Sequence, residues 1–269
     1  MSHSTPAEPT HHLLGYPVHC LSVTAAVARI LEALAVRYNY HVVTLNPEMM
    51  MQAENDRWLH DILQQADLSI PDGAGVVWGL RLQGLWHVQR LPGIELSEAL
   101  LEAAGQRGLR IALIGTSAST LELTQSNLMQ RYPGLSIVYA HHGFFDPQTE
   151  EETIARRCAE TQPHFVLVAL GVPRQEKWIA LYKQYFDGAI FLGVGGSFDV
   201  WANTVKRAPR AFQKLHLEWL YRFIAQPWRI RRAGKHLLLF LLKLLFESRK
   251  TATIRNNPEH SNVGKVSIL

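Results

Sequence analysis

The residue best placed for chemistry is Asp72. It follows the apolar run 68–71 and precedes two glycines and a segment apolar enough to begin a buried helix. A turn of this kind between a strand and a helix lies at the carboxyl edge of a parallel sheet, where open α/β folds bind ligands. Asp72 is therefore our first candidate for a catalytic side chain. The structural alternative is that it caps the following helix, since Asp is a favoured N-cap residue.

Glycines and polar side chains also follow the other predicted strands. In a doubly wound sheet, the loops at the carboxyl ends of the strands converge on one crevice. Glycines such as Gly115, Gly171 and Gly195 let backbone N–H groups approach a phosphate, and the N-termini of the following helices favour anions. The sequence therefore predicts that Asp72 shares one anion-binding crevice with the loops 44–47, 115–117, 171–176 and 193–199.

Two common kinds of nucleotide site are disfavoured. The glycines at 193–196 lack the G-x-G-x-x-G spacing and the acidic residue that follows it in nicotinamide enzymes. The sequence also contains no D-x-D motif and no pair of histidines four residues apart, so the usual means of holding a divalent metal on a diphosphate is missing. A diphosphate would instead be neutralised by Arg, Lys and helix dipoles. We expect neither a metal nor a cofactor.

The elements that would position these loops alternate regularly between strand and helix. This alternation indicates an α/β fold with a Rossmann-like, mostly parallel sheet and helices on both faces. The predicted strands are 40–45, 68–70, 110–114, 136–141, 165–170 and 189–192. The predicted helices are 22–37, one or two helices within 48–65, 94–107, a helix ending near 131, 150–161 and a helix ending near 185.

Composition is that of a globular protein. Of the 269 residues, 47% are hydrophobic and 19% are charged, which excludes disorder for the bulk of the chain. The only cysteines are Cys20 and Cys158, so a disulfide framework or a structural zinc site is disfavoured. We expect residues 1–12 and 251–269 to be disordered, with no signal peptide, and residues 13–203 to form the Rossmann-like domain. Trp78, Trp86 and Trp178 are interpreted as packing residues rather than as rings on which a ligand stacks.

Charge is distributed unevenly along the chain. Between residues 206 and 250, twelve Lys and Arg residues accompany two Glu residues, a net charge of +10 in a chain of +4 overall. This asymmetry indicates an anionic partner for a helical appendage at 204–250. Its apolar run 237–242 is far shorter than the roughly 20 residues that span a bilayer. Flanked by basic residues, it suits a helix lying on an anionic membrane surface, whereas nucleic acid does not need such a run. The alternative is a homo-oligomer interface.

Seven short motifs in a fixed order carry a resemblance that covers about residues 15–232. They are Thr44-x-Asn46, Pro71-Asp72-Gly73-x-Gly75-Val76-Val77, Arg90-x-x-Gly93, Gly171-x-Pro173-x-Gln175-Glu176, Gly193-Val194-Gly195 to Phe198-Asp199, Lys206-Arg207-Ala208-Pro209 and Leu217-Glu218-Trp219-x-x-Arg222. Together they resemble the WecG/TagA/CpsF family of bacterial glycosyltransferases. The resemblance implies an inverting, metal-independent enzyme of cell-surface polysaccharide or wall polymer synthesis. It would move an N-acetylmannosamine-type or related hexose from a UDP-sugar to a polyprenyl-diphosphate-linked sugar.

The resemblance also implies roles for individual residues. Asp72 looks like the general base, and Gln175 like a second polar group of the active site. Thr44 and Asn46 look like contacts to the donor or the acceptor. Candidates to stabilise the departing UDP are Arg90, Arg207, Arg222 and Arg229. The family commonly has Ala or Gly where this chain has Gly196-Ser197 and Asn203, so the sugar transferred stays open.

Membership of such a family would place the protein in the cytoplasm, peripheral on the inner face of the plasma membrane. Two other functions stay open from the residues alone. One is a different nucleotide-binding Rossmann enzyme, such as an oxidoreductase, and the other is a non-catalytic membrane adaptor. Glu176 is assigned either to the active site or to an ion pair with Lys177 or another nearby base.

Overall fold

The computed structural model describes residues 10–209, 212, 218, 221 and 234–247. Its strands are β1 (Thr10–Leu13), β2 (Tyr16–His19), β3 (Tyr40–Leu45), β4 (Leu68–Pro71), β5 (Arg110–Gly115), β6 (Ser136–His141), β7 (Phe165–Ala169) and β8 (Ile190–Gly193). Six of them form a parallel sheet in the order β4-β3-β8-β7-β5-β6. The α/β fold with a parallel sheet is thus confirmed, and each predicted strand agrees to within one residue at either end.

Helices connect the strands and cover both faces of the sheet. They are α1 (Val23–Ala35), α2 (Pro47–Ala53), α3 (Arg57–Gln64), α4 (Ala74–Leu82), α5 (Gly93–Arg107), α6 (Ala118–Arg131), α7 (Glu151–Glu160), α8 (Arg174–Tyr182) and α9 (Ser197–Trp201). A 3₁₀ turn, Lys183–Tyr185, follows α8, and residues 234–247 are helical. The predicted helical region 48–65 is two helices, because the Asp56 carboxylate accepts the Leu59 N–H at 3.1 Å and so caps a new one.

Strands β3, β7 and β8 are buried along their whole length. Both of their faces are covered, so their sequences are nearly continuous apolar runs. Alternate residues of each strand point to opposite faces of the sheet. On β7, Leu167 belongs to the core cluster that includes Ile30 of α1 and Leu100 of α5, whereas Val168 belongs to the cluster that includes Ile154 of α7. The sheet is therefore fixed from both sides, and its carboxyl edge is a rigid frame for the loops.

An antiparallel hairpin of β1 and β2 protects one edge of the sheet. The backbone N–H of Ser69, on edge strand β4, donates to Nδ1 of the buried His19 side chain at 3.1 Å. This contact satisfies a backbone donor that an edge strand would otherwise leave unpaired. The hairpin also corrects one expectation, since residues 10–12, which we expected to be disordered, lie in β1.

The 234–247 helix packs against α4 through Phe240 and Leu244, which are both buried. Two glycines of α4 make this contact possible. A Cβ atom at Gly75 would lie 3.1 Å from the Phe240 ring, and one at Gly79 would lie 3.0 Å from Leu244. Lys243 adds an ion pair with Glu54. The 234–247 helix thus shares the hydrophobic core of the sheet domain.

Large apolar side chains stay exposed on the outer side of this helix. Leu238 is 61% exposed and Phe246 is 65% exposed. Of the tryptophans interpreted as packing residues, Trp178 is buried, but Trp78 and Trp86 are exposed, so that interpretation is wrong for these two. No helix in the described ranges is both long enough and apolar enough to cross a membrane.

Candidate active site

The loops that follow β3, β4, β5, β7 and β8 meet in one cavity of about 700 Å³, as the sequence predicts. This volume is typical of small-molecule binding sites. The residues that line it include Thr44, Asn46, Asp72, Arg90, Thr116, Ser117, Phe144, Gly171, Gln175, Gly193, Gly195, Asp199, Glu218 and Leu237. The cavity therefore extends across the carboxyl edge of the sheet and reaches the C-terminal segment.

Asp72 lies in this cavity with one carboxylate oxygen held firmly. Oδ1 accepts the backbone N–H of Gly93 at 3.1 Å and a guanidinium N–H of Arg90 at 3.3 Å. Helix α4 begins at Gly73 without any side-chain cap, so Asp72 does not cap the helix that follows it. Its carboxylate lies instead at the N-terminus of α5, where the helix dipole favours negative charge. Among the described residues, Oδ2 has no hydrogen-bond partner.

Arg90 is mostly buried and contacts two carboxylates. It donates to Glu218 Oε2 at 2.6 Å, and it also donates to both the carbonyl and the carboxylate of Asp72. Burial lowers the pKa of Arg90, but the charges and hydrogen bonds of Asp72 and Glu218 outweigh burial and raise the pKa above its ordinary value. The guanidinium therefore stays charged and orients Asp72.

Arg207, predicted to stabilise the departing UDP, pairs with two carboxylates, and that predicted role stays a prediction. Its guanidinium donates to Glu95 at 2.6 Å and to Glu218 at 3.4 Å, and it is not among the residues that line the cavity. The two carboxylates satisfy its charge, which is the physical reason for its position. Arg222 and Arg229 lie outside the described residues.

Thr44 and Asn46 both line the cavity at the end of β3. The Thr44 hydroxyl donates to the Gly193 carbonyl at 3.4 Å, which links the ends of two neighbouring strands. The side-chain oxygen Oδ1 of Asn46 accepts the Met49 N–H at 3.0 Å, so this side chain caps α2. Asn46 therefore fixes the loop that borders Asp72 as well as facing the cavity.

The glycines of the loops have different roles. Gly171 and Gly195 line the cavity and have φ angles of +77° and +49°, in the left-handed region that favours glycine. Gly115 is not among the lining residues. A Cβ atom there would lie 2.4 Å from the Ala169 carbonyl, so this glycine allows β5 and β7 to approach, and Thr116 after it reaches the cavity.

Gln175 and Glu176 begin helix α8, and both are buried. Gln175 lines the cavity, whereas Glu176 lies behind it and pairs with His41 at 2.8 Å. Lys177, the partner considered from the sequence, pairs with Asp56 at 2.5 Å instead. The partner of Glu176 is therefore the imidazole of a histidine 135 positions away, which no local sequence pattern connects to it.

Sequence reasoning did not single out Phe144, which lines the cavity, and it named Asp199, which also lines the cavity, only as part of the loop 193–199 and its motif. Phe144 follows β6 and is 79% exposed. Arg174 fixes its loop, because it donates to the Gly143 carbonyl at 2.9 Å and covers the Phe145 ring. A lone phenylalanine in a loop carries no sequence signal that would have identified it.

Comparison with known proteins places the chain among glycosyltransferases. The model of the glycosyl transferase WecG/TagA/CpsF family matches residues 11–254, which include the whole parallel sheet and the 234–247 helix. Proteins from Staphylococcus aureus strains NCTC 8325 / PS 47, COL and MRSA252 are 35% identical over 212 residues, 79% of this chain and 82% of theirs. Each of them is named N-acetylglucosaminyldiphosphoundecaprenol N-acetyl-beta-D-mannosaminyltransferase.

Proposed function

Because the chain belongs to the WecG/TagA/CpsF family of glycosyltransferases, we propose that it transfers an N-acetylmannosamine-type or related hexose from a UDP-sugar to a polyprenyl-diphosphate-linked sugar. Transfer inverts the anomeric centre and needs no metal, and it serves the synthesis of a cell-surface polysaccharide or wall polymer. The names of the S. aureus relatives support the sugar and the acceptor. The observation that carries the proposal is the anchored Asp72 carboxylate at the wall of the cavity.

In this mechanism Asp72 is the general base. The acceptor hydroxyl oxygen attacks C1 of the donor sugar on the face opposite UDP, and its proton passes to Asp72 as the new bond forms. The bond between C1 and the UDP oxygen breaks, and its electron pair stays on that oxygen. The configuration at C1 is therefore inverted, and UDP leaves as an anion. Gly93 and Arg90 hold Oδ1, which leaves Oδ2 to take the proton. A general base of this kind contributes roughly 10²- to 10⁴-fold to the rate.

Positive partial charge around the cavity supports the stabilisation of departing UDP. The cavity includes Gly171 and the glycine-rich loop after β8, and the first turn of α6 begins there at Ser117. Backbone N–H groups in such loops and at helix N-termini bind phosphate oxygens and stabilise charge that develops in the transition state. Arg207, Arg222 and Arg229 stay candidates for the same role, and Arg90 would add its charge from beside Asp72.

The C-terminal segment supports a position on an anionic membrane surface. The 234–247 helix places Leu237 at the cavity and leaves Leu238 and Phe246 exposed on its other side. An exposed apolar helix face flanked by Lys and Arg suits the headgroup layer, where each basic residue contributes about 1 kcal/mol. A protein held there, on the cytoplasmic face of the plasma membrane, would meet a lipid-linked acceptor at the cavity. The alternative for the same face is an interface between two copies of the chain.

A transfer assay tests the proposed function directly. Purified protein is incubated with a panel of UDP-sugars and a short-chain polyprenyl-diphosphate-linked N-acetylglucosamine, in buffer with EDTA. We expect UDP release together with a disaccharide lipid for an N-acetylmannosamine-type donor. A protein that transfers no sugar from any donor, and whose Asp72→Asn variant keeps its cellular role, would be a non-catalytic adaptor.

A further inference from the structure

We propose that His41 and Glu176 are a buried positioning pair that sets the orientation of the Gln175 side-chain amide in the cavity. The inference rests on the proposed function, since it assigns a task to residues behind that site. His41 is on β3, and Gln175 and Glu176 are adjacent on α8. None of the three is more than 2% exposed.

A continuous chain of hydrogen bonds joins the pair to the cavity wall. His41 Nε2 donates to Glu176 Oε2 at 2.8 Å. Gln175 Nε2 donates to Glu176 Oε1 at 2.9 Å. At the other end of the same amide, Gln175 Oε1 accepts the Gly195 N–H at 3.2 Å. The chain thus runs from the buried histidine to a glycine of the loop after β8.

Glu176 selects one of the two possible orientations of the Gln175 amide. An ionised carboxylate accepts hydrogen bonds and cannot donate them. The NH₂ end of Gln175 must therefore turn toward Glu176, which leaves the carbonyl oxygen facing Gly195 and the cavity. That oxygen has a second lone pair, so it can accept a hydrogen bond from a sugar hydroxyl group or an acetamido N–H.

His41 keeps the carboxylate in place. A fully buried carboxylate without a partner is costly, and it would take up a proton or draw in water. Either change would allow the Gln175 amide to turn. Gly193 packs closely against both side chains and limits how far they can shift. A Cβ atom at this glycine would lie 2.4 Å from Gln175 Nε2 and 2.5 Å from Glu176 Oε1. The pair is thus a rigid support for one polar group of the site.

The kinetic test is a double-mutant cycle with Glu176→Gln and Gln175→Ala. The glutamine at 176 keeps the volume of the side chain but can turn either end toward Gln175. A misplaced site group costs up to about 100-fold in rate, so we expect a 10- to 100-fold loss in kcat. In the Gln175→Ala background the second substitution should have no further effect, because the pair acts only through that amide. The matched control is Glu151→Gln, which alters another buried glutamate, one that pairs with Arg174. Its effect on kcat should be the same in the wild-type protein as in the Gln175→Ala variant.

A second pair of variants keeps the inference testable if Glu176→Gln does not fold. His41→Gln retains a side-chain N–H that can donate to Glu176, whereas His41→Ala does not. We expect His41→Gln to keep at least ten times more activity than His41→Ala, measured at a temperature at which both variants are folded. Equal activity of the two variants, a Glu176→Gln turnover within twofold of the wild-type value, or equal losses in both Gln175 backgrounds would overturn the inference.

An NMR measurement separates this inference from the proposed function, because it needs no turnover. The side-chain NH₂ signal of Gln175 is assigned by its loss in Gln175→Ala. One of its two protons should lie downfield, where it donates to the Glu176 carboxylate, and should move upfield in Glu176→Gln. An unchanged signal would overturn the positioning role, whereas a shift in an inactive wild-type protein would contradict the proposed function alone.

Discussion

The guanidinium of Arg90 lies 2.6 Å from the carboxylate of Glu218, so a residue of the C-terminal segment contacts the side chain that orients Asp72. Arg90 thereby joins the sheet edge to the segment after residue 203. Glu218 also accepts from Arg207, which places one carboxylate between two guanidinium groups. A movement of Glu218 in the C-terminal segment would therefore move Arg90 and, with it, the carboxylate of Asp72.

Arg90→Lys is expected to lower kcat by about 10- to 100-fold. A lysine carries the charge but cannot donate to Asp72 and Glu218 at once in the fixed geometry of a guanidinium group, and a misplaced catalytic group costs up to about 100-fold. Arg37→Lys is the control, because Arg37 and Asp187 form an exposed pair. A transfer assay measures kcat for both variants. Equal kcat values for Arg90→Lys and Arg37→Lys would show that Arg90 does not orient the base.

Asp72→Asn is expected to remove most transfer activity and to leave UDP affinity within a few-fold of the wild-type value. The amide retains the size of the side chain but cannot accept the proton, and a general base contributes roughly 10²- to 10⁴-fold. Titration calorimetry with UDP beside a transfer assay measures the two effects. Asp187→Asn, at an exposed position, is the control. Near wild-type turnover by the Asp72 variant would leave Asp72 with a structural role alone.

The exposed face of the 234–247 helix is tested with Leu238→Gln, Leu242→Gln and Phe246→Gln together. All three side chains are exposed, so we expect little change in melting temperature. Binding to liposomes that contain anionic lipid should be lost, as measured by co-sedimentation. A control with Leu123→Gln and Met129→Gln changes exposed apolar residues on α6. Unchanged liposome binding with a smaller particle in light scattering would assign the face to an oligomer interface instead.

Folding stability is expected to fall as the pH drops below about 6.5. Burial, together with the charge of Arg29, lowers the pKa of His19 from its ordinary value of 6.5. The unfolded chain therefore binds a proton at this histidine before the folded chain does, and the free energy of unfolding decreases until the pH is below the folded pKa. The slope from one such group is at most about 1.4 kcal/mol per pH unit.

Urea unfolding at several pH values between 7.5 and 5 measures this slope. His19→Asn is the informative variant, since an asparagine oxygen can still accept the Ser69 N–H but does not titrate. We expect a shallower dependence in His19→Asn, with the remaining slope partly from His164, whose pKa burial and Arg110 also lower. A dependence identical to that of the wild type would exclude His19 as a source.

Transfer activity is expected to be the same with EDTA as with Mg²⁺ or Mn²⁺. The reason is the missing D-x-D motif, together with backbone N–H groups and arginines that can neutralise a diphosphate. An initial-rate assay after dialysis against EDTA provides the measurement. Loss of activity that Mg²⁺ restores would overturn this expectation.

The sequence by itself determined the α/β fold, the strands of the parallel sheet, most of the helices and the set of loops that meet at Asp72. These features depend on local patterns, namely apolar strands, caps and turn glycines, which act over a few residues. The hairpin over β4 was missed because residues 10–19 form a short antiparallel pair whose burial depends on the edge of a sheet formed later in the chain.

Tertiary structure alone decided the partners of the site residues. Asp72 contacts Gly93 and Arg90 rather than its own helix, Glu176 pairs with His41, and Arg207 pairs with two glutamates instead of facing the cavity. These contacts join positions between 11 and 135 residues apart. The residue types show which side chains are acids and which are bases, but each acid in the chain has several bases with which it could pair. Only the packing of the strands and helices determines which of them lie within hydrogen-bonding distance.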